Sequence, residues 1–210
     1  MSATDILITG FEPFGGDGVN PTEMLLEGLP DEIGGMSINK LLLPVGFGRA
    51  AELAKAEFDR LLPAAVIMFG QAGGRDAVTP EALGKNLMDA RIPDNAGYEP
   101  KNAPVIEGGP SELYSTLPNE AIVGALLSAG IPARISRDAG AYVCNSLLYS
   151  MLAHTGGRLP VGFVHVPFIR EQVEGVPGRE KTPFMEFAAL SAAARLIIET
   201  VQKTKAPSGL

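Results

Sequence analysis

Cys144 is the only cysteine in a chain of 210 residues, and His154 and His165 are its only histidines. A thiol and an imidazole are the minimum set for thiol acyl transfer, in which a sulfur nucleophile is served by one proton carrier. Cys144 lies in Ala139-Gly140-Ala141-Tyr142-Val143-Cys144-Asn145, between a strand signal and a helix signal. That position predicts a place at a helix N-terminus, where the positive end of the helix lowers a thiol pKa and favours the thiolate. The ordinary role of a lone cysteine is a small buried hydrophobe, and position alone leaves that reading open. His165 follows an apolar run and precedes Val166-Pro167, which presents its ring at a strand end. His154 closes a helical stretch before Thr155-Gly156-Gly157, where an imidazole simply suits the helix dipole. A third group must orient the working imidazole. Spacing does not choose among Glu81, Asp89 and Asp94.

These residues need a frame, and the chain alternates strand and helix signals from end to end. Ile6–Thr9, Lys40–Val45, Ala65–Gly70, Ala133–Ser136 and Gly162–Val166 read as strands. Helices are expected after Asn20-Pro21-Thr22-Glu23, a cap with proline at the first helical position and Glu23 reaching back to it. Others are expected through Ala51, Ala54, Phe58 and Leu61, over 119–128, over 143–154, and through Phe187, Leu190, Ala194, Ile197 and Val201. Residues 71–110 are rich in glycine and proline and read as loop, and Lys205–Leu210 as a frayed tail. Such alternation predicts a single-domain α/β protein over residues 1–210, a three-layer α/β/α sandwich with a mostly parallel twisted sheet. Sites in these folds form at the carboxyl ends of strands, the place of Gly10–Asn20, Gly70–Arg75, Ala139–Cys144 and His165–Phe168.

Composition narrows the chemistry further. Hydrophobic residues make up 46% and charged residues 20%, the balance of a globular chain, and a net charge of −7 argues against nucleic acid or an acidic membrane as partner. No basic leader precedes an apolar stretch, and a single cysteine suits a reducing compartment, so a cytoplasmic protein is expected. One thiol and two imidazoles are too few for a structural zinc site, and no acidic loop pattern marks a magnesium site; neither metal nor cofactor is expected. Gly10-Phe11-Glu12-Pro13-Phe14-Gly15-Gly16 lacks the ending of a phosphate-binding loop, and Gly70-Gln71-Ala72-Gly73-Gly74-Arg75 lacks dinucleotide spacing. Two aromatics in a rigid glycine–proline loop suit a small apolar pocket, or equally plugs of the core.

Taken in order, five segments resemble one family, the pyrrolidone-carboxylate peptidases (pyroglutamyl peptidase I). They are Thr9–Gly16 with Asn20-Pro21; Gly70–Arg75 with Thr79-Pro80-Glu81; Asp89-Ala90-Arg91-Ile92-Pro93-Asp94-Asn95; Val143-Cys144-Asn145; and Gly162–Pro167. The resemblance implies a cysteine exopeptidase that releases pyroglutamate from peptide N-termini through a thioester, working as a dimer or tetramer. It implies a triad of Cys144, His165 and Glu81, and an oxyanion held by Arg91 and the nucleophile's backbone N–H. Phe11, Phe14 and Tyr142 match the aromatics around the pyroglutamyl ring, and Asn20, Gln71 and Val143 fall in segments lining the same pocket. Tyr142, Ala141 and Ser146 depart from the family's more usual Phe, Thr and His. A binder without turnover would have no use for all three triad groups, and a nucleoside-phosphorylase-like enzyme would need a phosphate site that no segment supplies.

Overall fold

The computed structural model describes residues 4–205. Its first strand, β1 (Thr4–Phe11), leads through a loop to α1 (Pro21–Gly28), then β2 (Glu32–Ile33), β3 (Met36–Leu43) and α2 (Arg49–Leu61). The chain continues through β4 (Ala65–Gln71), β5 (Thr79–Pro80), β6 (Leu83–Lys85) and β7 (Glu112–Tyr114). It ends with α3 (Asn119–Ser128), α4 (Val143–Thr155), β8 (Val161–Val166), a 3-10 turn at Arg170–Gln172 and α5 (Phe187–Lys205). Of the tail expected to fray, Lys205 closes α5 and 206–210 lie outside the described residues.

Six strands form one sheet in the order β2-β3-β1-β4-β8-β5, and β6 pairs with β7 apart from it. β3, β1, β4 and β8 run parallel, while the short edge strands β2 and β5 run antiparallel. The central strands are apolar on both faces because helices cover both. Ile6, Ile8, Ile67, Phe69, Val164 and Val166 join one core with residues of α1, α3 and α5. Their alternating neighbours Leu7, Val66, Met68, Val161 and Phe163 join a second core with α2 and α4. The result is the expected three-layer sandwich, and α4 is the helix that carries Cys144.

Three local expectations are corrected. β3 starts at Met36, earlier than the apolar run at Lys40, because Met36 and Ile38 are buried while Ser37 and Asn39 between them are only partly so, the period of a strand. At α1, Asn20 Oδ1 accepts from Thr22 N at 3.0 Å, and Thr22 Oγ1, not Glu23, supplies the second cap contact at 2.8 Å. Ala133–Ser136 is not a strand but two isolated bridges, to Val78 and Glu81. The ladder opens with Val78 N on Pro132 O and Arg134 N on Val78 O, and resumes with Ser136 N on Pro80 O. The missing rung would need an N–H from residue 80, and Pro80 has none.

Candidate active site

Three backbone features bring the chemistry to one spot. In β8, His165 shares a face with Phe163, the face turned to α4. Across the ladder His165 pairs with Gly70 of β4 on one side and with Thr79 of β5 on the other. A Cβ built on Gly70 would lie 3.1 Å from Cys144 Sγ and 2.4 Å from the Phe163 ring, so the sulfur rests on bare backbone beside His165. Glu81, two residues beyond Thr79 on the same side, turns its carboxylate back toward the ring: His165 Nδ1 lies 2.7 Å from Glu81 Oε1. Glu81 is fully buried and His165 is 4% exposed.

The other two acids serve loops. Asp94 accepts from Phe47 N at 2.9 Å, Ala96 N at 3.0 Å and Tyr98 N at 2.9 Å, and Asp89 lies 3.4 Å from Asn102 N. His154 is at the far end of α4, 2.8 Å from Asp59. Among the three candidate acids, only Glu81 reaches His165.

The electrostatics correct one expectation. Burial pushes the Cys144 thiol up to about 12, with the Glu81 charge adding to it and Arg75 and the residue's own backbone N–H opposing. Cys144 is second in α4, and loss of water around the sulfur works against the helix end there. Burial likewise holds His165 below its ordinary value, against the hydrogen bond and charge of Glu81. Burial alone would raise Glu81, but the hydrogen bond and charge of His165, the Ser136 hydroxyl and Arg75 together leave it below the usual carboxylate range. All three directions favour thiol, neutral imidazole and carboxylate. With Nδ1–H donated to Glu81, the lone pair is on Nε2.

Beside the sulfur lies a small, tight apolar pocket lined by Phe11, Phe14, Val45, Tyr142 and Val143, with Asn20 and Gln71 among them. It adjoins a wider cleft that holds both Cys144 and His165, with Arg75, Lys85, Asp89, Arg91 and Asp138 along its walls. Arg91 is exposed on that rim. Asn20 and Gln71 already have protein partners. Asn20 caps α1 and donates to Glu12 O at 3.0 Å, while Gln71 accepts from Gln172 at 2.7 Å. Tyr142 stacks edge-on with Phe47 at 5.2 Å and donates its hydroxyl to Pro93 O at 3.0 Å, a bond that the family's usual Phe could not make.

Sequence reasoning missed four residues here. Val45 completes the apolar wall. Asn145, next to the nucleophile and fully buried, accepts from Lys85 N at 2.8 Å and donates to Lys85 O at 2.9 Å and Leu87 O at 2.8 Å, fixing the start of α4 against the cleft wall. Arg75 donates to Glu81 Oε1 at 2.8 Å and to Asp138 O at 2.9 Å. Asp138 in turn meets Lys85 at 3.0 Å. The only signals were an amide following Cys144 and an arginine closing a glycine turn before Thr79-Pro80-Glu81. Neither spacing indicates a partner across the fold.

Comparison with known proteins gives the family and the fold. A family model described as pyroglutamyl peptidase matches residues 4–204. The chain belongs to the pyroglutamyl peptidase family. It is 44% identical to a pyrrolidone-carboxylate peptidase of Thermococcus onnurineus, covering 94% of this chain and 98% of that one. Against the corresponding protein of Lactobacillus johnsonii, identity is 41% over 92% of each chain. Among solved structures, a mutant pyrrolidone carboxyl peptidase of Pyrococcus furiosus superposes with a TM-score of 0.92 at 36% identity, covering 96% of this chain and all of that one. The pyrrolidone carboxyl peptidase of Thermococcus litoralis gives 0.90 at 37% identity, over 95% and 94% of the two chains. Among the described residues no group of three or more His, Cys, Asp or Glu side chains is placed to hold a metal, and no helix is long and apolar enough to cross a membrane.

Proposed function

We propose that this protein hydrolyses the amide bond after an N-terminal pyroglutamyl residue of peptides, releasing pyroglutamate. The observation that carries the reading is the small cavity against the Cys144 sulfur: its lining is aromatic and aliphatic, with two amides and no charged side chain. An α-ammonium group would find no counter-ion there, whereas a cyclised, uncharged lactam needs none; Asn20 or Gln71 would bind its polar edge by exchanging a present protein partner.

In the proposed mechanism His165 Nε2 takes the thiol proton as Cys144 Sγ attacks the scissile carbonyl. Base-assisted attack is what a thiol held near 12 requires, since a preformed thiolate is scarce at neutral pH. Glu81 keeps the ring in the tautomer with Nδ1–H and stabilises the imidazolium that forms. The oxyanion is met by a backbone N–H at the start of α4 and by Arg91, donors of a kind worth about 3–4 kcal/mol each. The imidazolium then protonates the departing amine, leaving a thioester. Water, deprotonated by His165, attacks the thioester, and the returning proton restores the thiol.

A reducing cytoplasm suits a working thiol with no partner cysteine, and the same reading makes residues 1–210 one unit that assembles as a dimer or tetramer. Light scattering tests the assembly. The activity is tested by comparing pyroglutamyl and free glutamyl anilides: rapid release from the first alone is expected, and preference for the free amine would overturn the specificity.

A further inference from the structure

Arg75 belongs to neither the nucleophile, the base nor the acid, yet it touches the parts that hold them. Its Nη1 donates to Glu81 Oε1 at 2.8 Å and also meets Thr79 Oγ1, and its Nη2 donates to Asp138 O at 2.9 Å. We propose that Arg75 is a positioning residue for the reaction, tying the Glu81 carboxylate to the main chain that leads into Cys144. The proposal rests on the triad reading above and deepens it.

The carboxylate itself supplies the argument. Oε1 receives both His165 and Arg75, while Oε2 is buried with no well-formed hydrogen bond, the Ser136 hydroxyl being its one neighbouring donor. A buried carboxylate bonded so unevenly favours taking up a proton or turning over, and either change would misplace His165 Nδ1–H. Arg75 opposes both. Its charge favours the ionised form, and its planar fork, pinned at Asp138 O and Thr79, fixes which oxygen faces the ring. The side chain lines the cleft and is 22% exposed, so it keeps contact with water while its partner has none.

The groups facing Glu81 are few. His165 comes from β8, Arg75 from the glycine turn, Ser136 from the segment beside β5, and Cys144 from α4, while Asp138 acts on His165. Of these Arg75 is the only permanent cation. Lys85, another cation on the cleft wall, is engaged by Asp138 at 3.0 Å.

The test measures kcat and KM across pH on pyroglutamyl-aminomethylcoumarin with the full chain, comparing the parent with Arg75→Gln and Arg75→Lys. Arg75→Gln is expected to lower kcat roughly tenfold or more, as loss of an orienting partner does in other sites, with KM changed less than about twofold. Its acid limb is expected to move to higher pH, because Glu81 without the guanidinium protonates more readily. Arg75→Lys keeps the charge but lacks the second arm, so its acid limb should stay with the parent while kcat remains reduced. An unshifted limb in Arg75→Gln, or an Arg75→Lys enzyme as acid-shifted as Arg75→Gln, overturns the proposal. If circular dichroism shows that Arg75→Gln does not fold, Arg75→Lys decides alone, and a kcat equal to the parent's overturns it. A parent chain without turnover would instead sink the functional reading, an outcome distinct from all of these.

Discussion

The two ends of α4 hold two imidazole–carboxylate contacts of nearly equal length. At the N-terminal end, His165 meets Glu81 at 2.7 Å beside Cys144; at the C-terminal end, His154 meets Asp59 at 2.8 Å. Each ring also packs on a phenylalanine, Phe163 at 4.8 Å and Phe58 at 5.5 Å. The contacts differ in water and in company. The side chains of His154 and Asp59 are 28% and 60% exposed, against 5% and 0% for His165 and Glu81. Solvent screens the first pair to the weak level of a surface ion pair. The second is withdrawn from water, has a guanidinium on the same oxygen and lies next to a sulfur. A histidine–carboxylate contact is thus common hardware, and its surroundings decide whether it can do chemistry.

The sharpest way to break this contrast is at the sulfur. Cys144→Ser is expected to lose about 10⁴-fold or more in kcat with the fold intact, and retained turnover of a pyroglutamyl anilide would remove the thiol mechanism. Next come the acids. Glu81→Gln should cost roughly 10²–10⁴-fold in kcat, while Asp59→Asn stays within about twofold of the parent in the same assay; similar losses would erase the difference between the ends.

A smaller effect is read by alkylation. Because the Cys144 thiol is held near 12, its reaction with iodoacetamide should keep accelerating as pH rises past the range of ordinary cysteines, in step with loss of activity. A plateau near neutral pH would mean a preformed thiolate. His165 adds a stability signature of defined sign. Its pKa is depressed in the folded chain, so below the ordinary 6.5 the unfolded chain binds a proton that the folded chain refuses. Stability should fall as pH drops from about 6.5, and His165→Asn should flatten that slope in acid-titrated denaturant melts. The smallest change is expected at the exposed end, where His154→Gln should cost no more than about 1 kcal/mol, seen as a melting shift of roughly 2–4 °C.

Much of the frame was legible because burial leaves a periodic trace. Central strands read as unbroken apolar runs, and α3 came out at Asn119–Ser128 as expected. β3 was half missed because its first residues alternate with Ser37 and Asn39, and the supposed strand at Ala133 failed on a missing N–H in a different segment. The site divides in the same way. Cys144 and His165 are conspicuous by rarity, and Glu81 was reachable only through family resemblance. Arg75 and Asn145 act through partners 4 to 63 and 58 to 60 positions away, contacts that no hydrophobic periodicity encodes. The burial that opposes the helix end at the sulfur was hidden for a related reason: helix position is written locally, whereas desolvation depends on everything folded around it.

Gly70 carries a consequence for how this chain can vary. Because the Phe163 ring already occupies the space of a Cβ at position 70, the two residues act as one steric unit shared between neighbouring strands. A larger residue at 70 demands a smaller one at 163, and it would still press on the Cys144 sulfur, 3.1 Å from the same point. In a randomised library the two positions should therefore be recovered as a fixed pair, and a functional exchange would require both to change in a single step.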